Sequence, residues 1–434
     1  MFEIKVELEQ DNQQLGEVVV VADAKKNTEN AIITQQRTSL VMQTGVSAQQ
    51  ITKTQDKDAS EVIRRVSGIS IIEEKFVMVR GLSQRYNNVW INNSAVPSSE
   101  ADARAFSFDI IPSSQLDNML VVKSPAPEYP ADFSGGFILV NTKDVPSSNL
   151  FTISVGTSLN DQTHFKKFLY NKRKWHRFLG FDNGFRSLKG GINAVLNPIN
   201  NGYDLLNNGL NNDWTVKDRR PLADLSMNMN FSRRWVDSSG RTLAMLGTVN
   251  YSNSYKTYLD MDNNLFGAYD TTHDCSNYLR KSIDDQYNHN VRIGTMLNFT
   301  YVPASGNSRY EFKNIFNQLG KDRYTYRKGT DAQSDYEESA EYYYQSRTTY
   351  NGQFTGKHTL GDADKLDWST GYSYANRNMP DRRRYTTVLN EETNQLEVEN
   401  LNEINREFSR LDEHILSANI NLSARFFPFG IFDS

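Results

Sequence analysis

"LVVKSPAPEYPADFSGGFILVNTKDVP", residues 120–146, decides the architecture. It reads as a strand ending at Lys123, a proline-broken turn, the pair Gly135-Gly136 and a second apolar strand from Phe137 to Val140. Directly after it the pattern changes to strict alternation and keeps it to the end of the chain. The two halves are built for different solvents.

From Leu150 onward the period is two. Phe151, Ile153, Val155 and Leu159 alternate with Thr152, Ser154, Gly156 and Ser158, and Leu225, Met227, Met229 and Phe231 oppose Ser226, Asn228, Asn230 and Ser232. Val291, Ile293, Leu297, Phe299 and Tyr301 alternate with Arg292, Gly294, Asn298 and Thr300; Leu416, Ala418, Ile420, Leu422 and Phe426 do so with Ser417, Asn419, Asn421, Ser423 and Arg425. The second face is too wet for a sandwich core and suits a water-filled lumen.

Candidate strands fall at 150–160, 222–235, 241–258, 286–302, 308–327, 338–358, 364–379 and 408–427. "VDSSGR", "PASGNS" and "LGDAD" read as tight turns, whereas links 161–221, 259–285 and 381–407 are long and polar and 328–337 is intermediate. Alternation of short and long connections is the topology of a transmembrane β-barrel. Tyr342-Tyr343-Tyr344, Tyr372 with Tyr374, and Phe426-Phe427 read as interfacial girdles.

Totals exclude other classes. The 434 residues carry 48 basic against 52 acidic side chains, a net charge of −4, which points away from nucleic acid. Cys275 is the one cysteine, so there is neither an internal disulfide nor a multi-cysteine metal site. No apolar run is long enough for a transmembrane helix, and "MFEIKVELEQ" lacks the apolar core of a signal peptide. The histidines, 164, 176, 273, 289, 358 and 414, form no i, i+4 pair, and no phosphate loop, hydrolase elbow or nucleophile motif occurs. Catalytic residues, metal ligands and cofactors are therefore read as none.

The N-terminal part divides further. Residues 1–14 read as one remnant strand, and 15–30 as an extended segment, "LGEVVVVADA", running into polar linker. Residues 31–146 read as a small mixed domain: Asp58 with Glu61 three positions on opens a helix with stripe Val62, Ile63 and Val66, and Gly68 fits its C-terminal stop. "ISII", "FVMVRGL" and "NVWIN" follow as strands, and Pro112 begins a second short helix. Residues 147–434 are the alternating sheet. The fold class is mainly β: a small α/β domain followed by antiparallel transmembrane barrel strands.

In order and spacing these motifs resemble a TonB-dependent outer-membrane receptor. "EVVVVA" (17–22) resembles the TonB box, "VIRRVSGI" (62–69) the first plug helix, "VMVRGLSQRYNNVWINNSAVP" (77–97) the arginine-glycine strand and hairpin, and residues 120–143 the closing plug motif, with Pro130 where glycine is commoner. "FKKFLYNKRKWHRFLGFDNGFRSLKG" (165–190) is similar to the loop after the first barrel strand in the subgroup with an extra N-terminal carboxypeptidase-regulatory-like domain; residues 1–14 would be that domain's last strand.

The resemblance implies a receptor, not an enzyme, importing a scarce solute such as a siderophore, glycan, peptide or vitamin, in the outer membrane of a Gram-negative bacterium with the plug in the barrel lumen and the N-terminus periplasmic. Implied partners are a TonB-type energy-transducing protein of the inner membrane, outer-membrane lipid, and the solute, delivered directly or by a surface lipoprotein. Glu17, Val18, Val19, Val20 and Val21 would donate a strand to the TonB-type partner. Arg80 and Lys123 would pair with carboxylates on the barrel wall, and Gly81, Gly135 and Gly136 would serve the backbone. Arg85, Tyr86 and Trp90 would face solute. The basic aromatic stretch 166–177 reads either as a contact for lipopolysaccharide phosphates or an anionic ligand, or as a solvated loop. A plug of roughly 130 residues, about 14 Å in radius of gyration, cannot enter an eight-stranded cylinder. The expectation is about 8 of 22 strands, an incomplete barrel. An uncoupled outer-membrane channel or adhesin, and a soluble glycan-binding β-protein, are the alternative readings.

Overall fold

The computed structural model describes residues 27–98, 105–127, 129–144, 149–171, 178–182, 184–188, 210–361, 364–398 and 404–424. The expected TonB box, residues 17–21, lies outside them.

The N-terminal unit begins with α1 (Glu29–Thr38), capped by the Thr28 hydroxyl on the Ala31 amide, then β1 (Gln43–Ser47) and α2 (Ala48–Thr54). In α3 (Ala59–Ile63) Asp58 Oδ1 accepts from the amides of Ser60 and Glu61, while Glu61 reaches back to the Lys57 amide at 2.7 Å, one residue before the cap. Val62 and Ile63 are fully buried. A hairpin of β2 (Ile69–Ile72) and β3 (Phe76–Val79) follows, then β4 (Asn88–Ile91) and β5 (Ser94–Ala95). Pro112 starts only a 3-10 turn, Ser113–Gln115. The strands β6 (Leu116–Val122) and β7 (Phe137–Thr142) are the two read from residues 120–146, and they pair antiparallel in the centre of a sheet ordered β1-β6-β7-β4-β5. Their near-continuous burial matches their unbroken apolar sequence.

The second part is one antiparallel sheet. Its through-strands are β8 (Leu150–Ser158), β11 (Asp224–Val236), β12 (Thr242–Asp262), β14 (Cys275–Val302), β15 (Ser308–Asp331), β16 (Tyr336–Leu360), β17 (Asp364–Asn390) and β19 (Asn405–Ser423). Short additions are β13 (Leu265–Asp270) and β18 (Gln395–Glu397), and β9 (Phe168–Asn171) pairs separately with β10 (Val216–Arg219). Among the described residues this gives eight through-strands. The links at 259–285 and 381–407 are corrected: they are largely strand, because polar residues on both faces hide the period of two while the ladder of backbone hydrogen bonds runs on.

Register assigns the faces. Met227 pairs with Val155 and Tyr251, and Tyr251 with Ile293, and this side carries the exposed apolar residues Met227, Val249, Leu297, Phe312, Phe354, Leu416, Ile420 and Leu422. On the other side Leu246, Met296, Ile315 and Leu319 are buried in one cluster with the N-terminal unit's Val62, Phe108 and Ile110. The N-terminal unit therefore sits on the polar face, and the oily lower part of the opposite face is bare.

One segment departs from the expected girdles. The hairpin β9–β10 and residues 178–188 lie on the outer face, over its upper half. Phe168 packs edge-on to Tyr255 and Tyr287, Trp214 to Tyr342 and Tyr385, and the Gly180 carbonyl accepts from Gln318 Nε2 and Tyr344 Oη. Gln318, Tyr324, Tyr342 and Tyr344 alternate with Leu319, Lys321 and Arg347, which face the N-terminal unit. Tyr342 and Tyr344 are thus covered, Tyr343 faces inward, and Phe426-Phe427 lie outside the described residues. Pro380, with no N–H for the ladder, lies in the bulge between Met379 and Arg382; the extra residue turns Arg383 to the outer face, where it stacks on Trp214 and Tyr342.

Candidate functional site

The seat of the N-terminal unit on the sheet is built from carboxylates below and cations above. Asp109 Oδ2 accepts from Arg347 Nη2 at 2.5 Å and Lys321 Nζ at 3.1 Å; Asp58 Oδ2 accepts from Arg292 Nη2 at 3.0 Å; Asp144 Oδ1 accepts from Lys313 Nζ at 2.6 Å. Burial alone would raise the Asp109 carboxyl, but Arg347 and Lys321 outweigh it and hold it far below the usual carboxylate range. Further hydrogen bonds complete the seat: Ser94 and Ser417 hydroxyls at 2.6 Å, Ser373 Oγ on the Ala95 carbonyl, the Ser98 amide on the Glu413 carboxylate, and Asn298 on the Lys143 carbonyl.

This corrects the expected sign of the pairing. Among the described residues Arg80 and Lys123 reach no wall carboxylate. Arg80 is exposed with φ +55°, its amide donates to the Gly68 carbonyl, and its guanidinium lies 3.7 Å from Met42 Sδ. Lys123 is buried, its ammonium donating to the Ser67 carbonyl at 2.7 Å; burial, then Arg80, lowers its pKa. Both motifs converge on the turn after α3, inside the N-terminal unit.

The glycines sit where backbone demands them. Gly81 has φ +76°, and a Cβ on Gly136 would meet both Val79 methyl groups at 3.0 Å. Gly135, with Ser134, donates to the Tyr86 carbonyl, which locks the closing motif onto the Arg85-Tyr86 loop. Arg85 lies over the Tyr86 ring at 5.2 Å, and both side chains are exposed. Trp90 is corrected: it packs edge-on to Phe137 at 5.1 Å beside Tyr129 and Phe133, so it belongs to the core rather than to a solute surface.

Above the seat the inner wall carries a set that sequence reading missed. Glu341 accepts from Arg323 at 2.6 Å and from Arg382, and Tyr343 lies between those two guanidiniums, 4.7 and 5.7 Å from its ring centre. Arg327 forks onto Asp284 at 2.6 and 2.8 Å. Alternation could have flagged these positions only with the facing known. Among the described residues no three His, Cys, Asp or Glu side chains gather as a metal site.

An α/β stopper on the wet face of a sheet whose far face is bare and apolar defines a plug and part of a barrel wall. Residues 34–137 match the family described as TonB-dependent Receptor Plug Domain, so this segment of the chain is a plug domain of that family. No curated protein matches the chain. Among solved structures it is similar to the ferric citrate transporter FecA in the unliganded form, at 12% identity and TM-score 0.37 over 90% of this chain and 55% of that one. It is also similar to the ferric-catecholate import receptor Fiu from E. coli K12 (10%, TM-score 0.35, 88% and 66%) and to the RagAB peptide importer in its 'open-open' state (11%, TM-score 0.35, 88% and 52%). The chain spans between half and two thirds of the length of these structures.

Proposed function

We propose that the chain supplies the plug and the first barrel strands of an energy-coupled outer-membrane receptor that imports a scarce solute. The observation that supports this most directly is the two-sided wall: apolar side chains outside, and inside a folded domain seated by ion pairs and hydrogen bonds beside an apolar cluster that joins Val62, Phe108 and Ile110 to Leu246, Met296, Ile315 and Leu319. Glu17–Val21 is the strand offered to a TonB-type protein of the inner membrane, which reads backbone hydrogen bonds and alternate side chains. Arg85 and Tyr86, and the wall set around Tyr343, are the surfaces offered to the solute.

The test uses full-length receptor in cells. A cysteine placed at Val20 should crosslink to the periplasmic part of the TonB-type protein, and Val19→Pro should abolish both the crosslink and energy-dependent uptake while surface display is unchanged. Uptake indifferent to Val19→Pro would mean an uncoupled channel and would overturn the proposal.

A further inference from the structure

The seat holds the plug to one side of the wall. Its ion pairs reach Arg292, Lys313, Lys321 and Arg347 on β14, β15 and β16, and its further hydrogen bonds reach β17 and β19. Towards the other edge the contact ends at β12, where the Ser114 hydroxyl donates to Asn250 Oδ1. Among the described residues, the side-chain hydrogen bonds of Thr152 and Ser158 on β8 and of Asp224 and Asn230 on β11 run to neighbouring strands and to His164, none to the plug. The inner face left beside the plug is uncharged and open: Ser154, Gly156, Ser158 and Ser226 are exposed. Nearer the tight turn at 236–241 it closes. There Asn230 Nδ2 donates to Thr152 Oγ1 at 3.3 Å, and Thr248 Oγ1 donates to Asn230 Oδ1 at 3.1 Å.

One row of the sheet leads from this open strip under the plug. It runs from Ser154 through Asn228, Asn250 and Gly294 to Asn317, each the register partner of the one before, all on the inner face. Gly294 leaves a gap that the plug's Gln115 enters: Gln115 Nε2 lies 2.9 Å, and Asn317 Oδ1 2.8 Å, from where a Cβ would stand. Gln115 is 0%, Asn317 1% and Asn250 9% exposed. Yet Asn228 Oδ1, Asn250 Nδ2, both amide atoms of Gln115 and Asn317 Oδ1 have no hydrogen-bond partner among the described residues. A buried amide left unmet costs about 1–3 kcal/mol, so a row of them calls for a guest. The row offers donors and acceptors together and no charge, and the nearest cation, Arg292 one row away, is held by Asp58. An anion would find no partner here, and an apolar group would leave every amide unmet. A neutral group that donates and accepts satisfies the row.

We propose that this amide row is a contact point on the solute's way past the plug, where uncharged hydroxyl or amide groups exchange hydrogen bonds with Asn228, Asn250, Gln115 and Asn317 in turn. The plug parts from the β8–β11 side while the β14–β16 seat holds. The closed rung of Thr152, Asn230 and Thr248 is made of the same kind of group, so it opens by exchanging one set of hydrogen bonds for another. The inference rests on the reading of the chain as part of an energy-coupled importer.

Full-length receptor in cells tests it, with a membrane-impermeant maleimide added outside as probe. Asn228→Cys should be labelled several-fold faster in energised cells than after a protonophore, whereas Leu319→Cys, on the seated side and 2% exposed in the native protein, should stay unlabelled in both. Ser154→Cys, in the same row on β8, gives the same comparison should Asn228→Cys fail to reach the surface. In energised cells maltotriose or N-acetyl-triglycine amide should slow labelling at Asn228→Cys and citrate should not; protection by one of the two uncharged probes alone names hydroxyl or amide as the group recognised. Adding Asn250→Leu should raise the protecting concentration about tenfold, the loss of about one hydrogen bond. Labelling that rises at Leu319→Cys, protection by citrate equal to that by the uncharged probes, or protection by neither uncharged probe overturns the inference. Labelling indifferent to energy at all three positions would instead overturn the importer reading beneath it.

Discussion

Asp109 on the plug and Arg347 on the wall lie 2.5 Å apart in a contact from which water is excluded, Arg347 being 1% and Asp109 7% exposed at the side chain. Lys321 shares the carboxylate. Removing one partner leaves buried charge without compensation, which costs about 3–5 kcal/mol. Asp109→Asn should therefore loosen the plug more than loss of the more exposed Lys53–Glu29 pair, seen as faster protease cleavage of the plug in full-length receptor. The sign with pH follows from the lowered carboxyl: its stabilisation is complete above the ordinary aspartate range and is lost only as pH falls below it. The part of plug protection lost in Asp109→Asn should be constant from pH 8 to 5 and shrink only at strongly acid pH; a part that shrinks near pH 6 would exclude Asp109 as its cause.

Gly294 on the inner wall is the second contact. A Cβ there would lie 2.7 Å from Pro112 Cγ, 2.8 Å from Asn317 Oδ1 and 2.9 Å from Gln115 Nε2, all in the seat. Gly294→Val should push the plug off the wall at a cost of about 1–3 kcal/mol. A cysteine crosslink between Ser94 and Ser417, whose hydroxyls are 2.6 Å apart, should form less readily in that variant.

What was legible in the sequence followed from period and turn chemistry. The β6–β7 pair, the Asp58 cap and the tight turns at 236–241 and 303–308 carry local signals, and alternation gave the oily face of β11, β14 and β19. Facing was not legible where both faces are polar. The upper halves of β14 and β17 read as loops, and the tyrosines of β16 read as a girdle, because the partner that covers them, β9–β10, comes from more than a hundred residues away. The direction of plug–wall pairing was lost for the same reason: Arg80 and Lys123 have the right chemistry, but only the fold shows that both turn toward residues 67–68.

Asp117 gives a pH dependence of opposite sign. Burial, then the charge of Asp144, raises its carboxyl to about 6, above the ordinary value near 4. Between those two values the folded plug binds more protons than the unfolded chain, so stability should fall as pH rises from about 4 to 6. Asp117→Asn should remove that slope, read as hydrogen-exchange protection of β6 and β7 amides corrected for intrinsic rate. An unchanged slope would assign it to another group.

Trp90 and Tyr86 separate core from solute surface. Trp90 packs on Phe137 beside Tyr129 and Phe133, so Trp90→Ala should cost up to about 3 kcal/mol and expose β4 and β7 to exchange. Tyr86 is 42% exposed and its structural work is done by its carbonyl, which accepts from the amides of Ser134 and Gly135 and survives truncation. Tyr86→Ala should leave exchange protection within the scatter of wild type. If Tyr86 meets the solute, the same variant should lower affinity at the cell surface several-fold with uptake falling in proportion. A Tyr86→Ala receptor that unfolds like Trp90→Ala would place both rings in the core and remove the plug's exposed aromatic from the solute path.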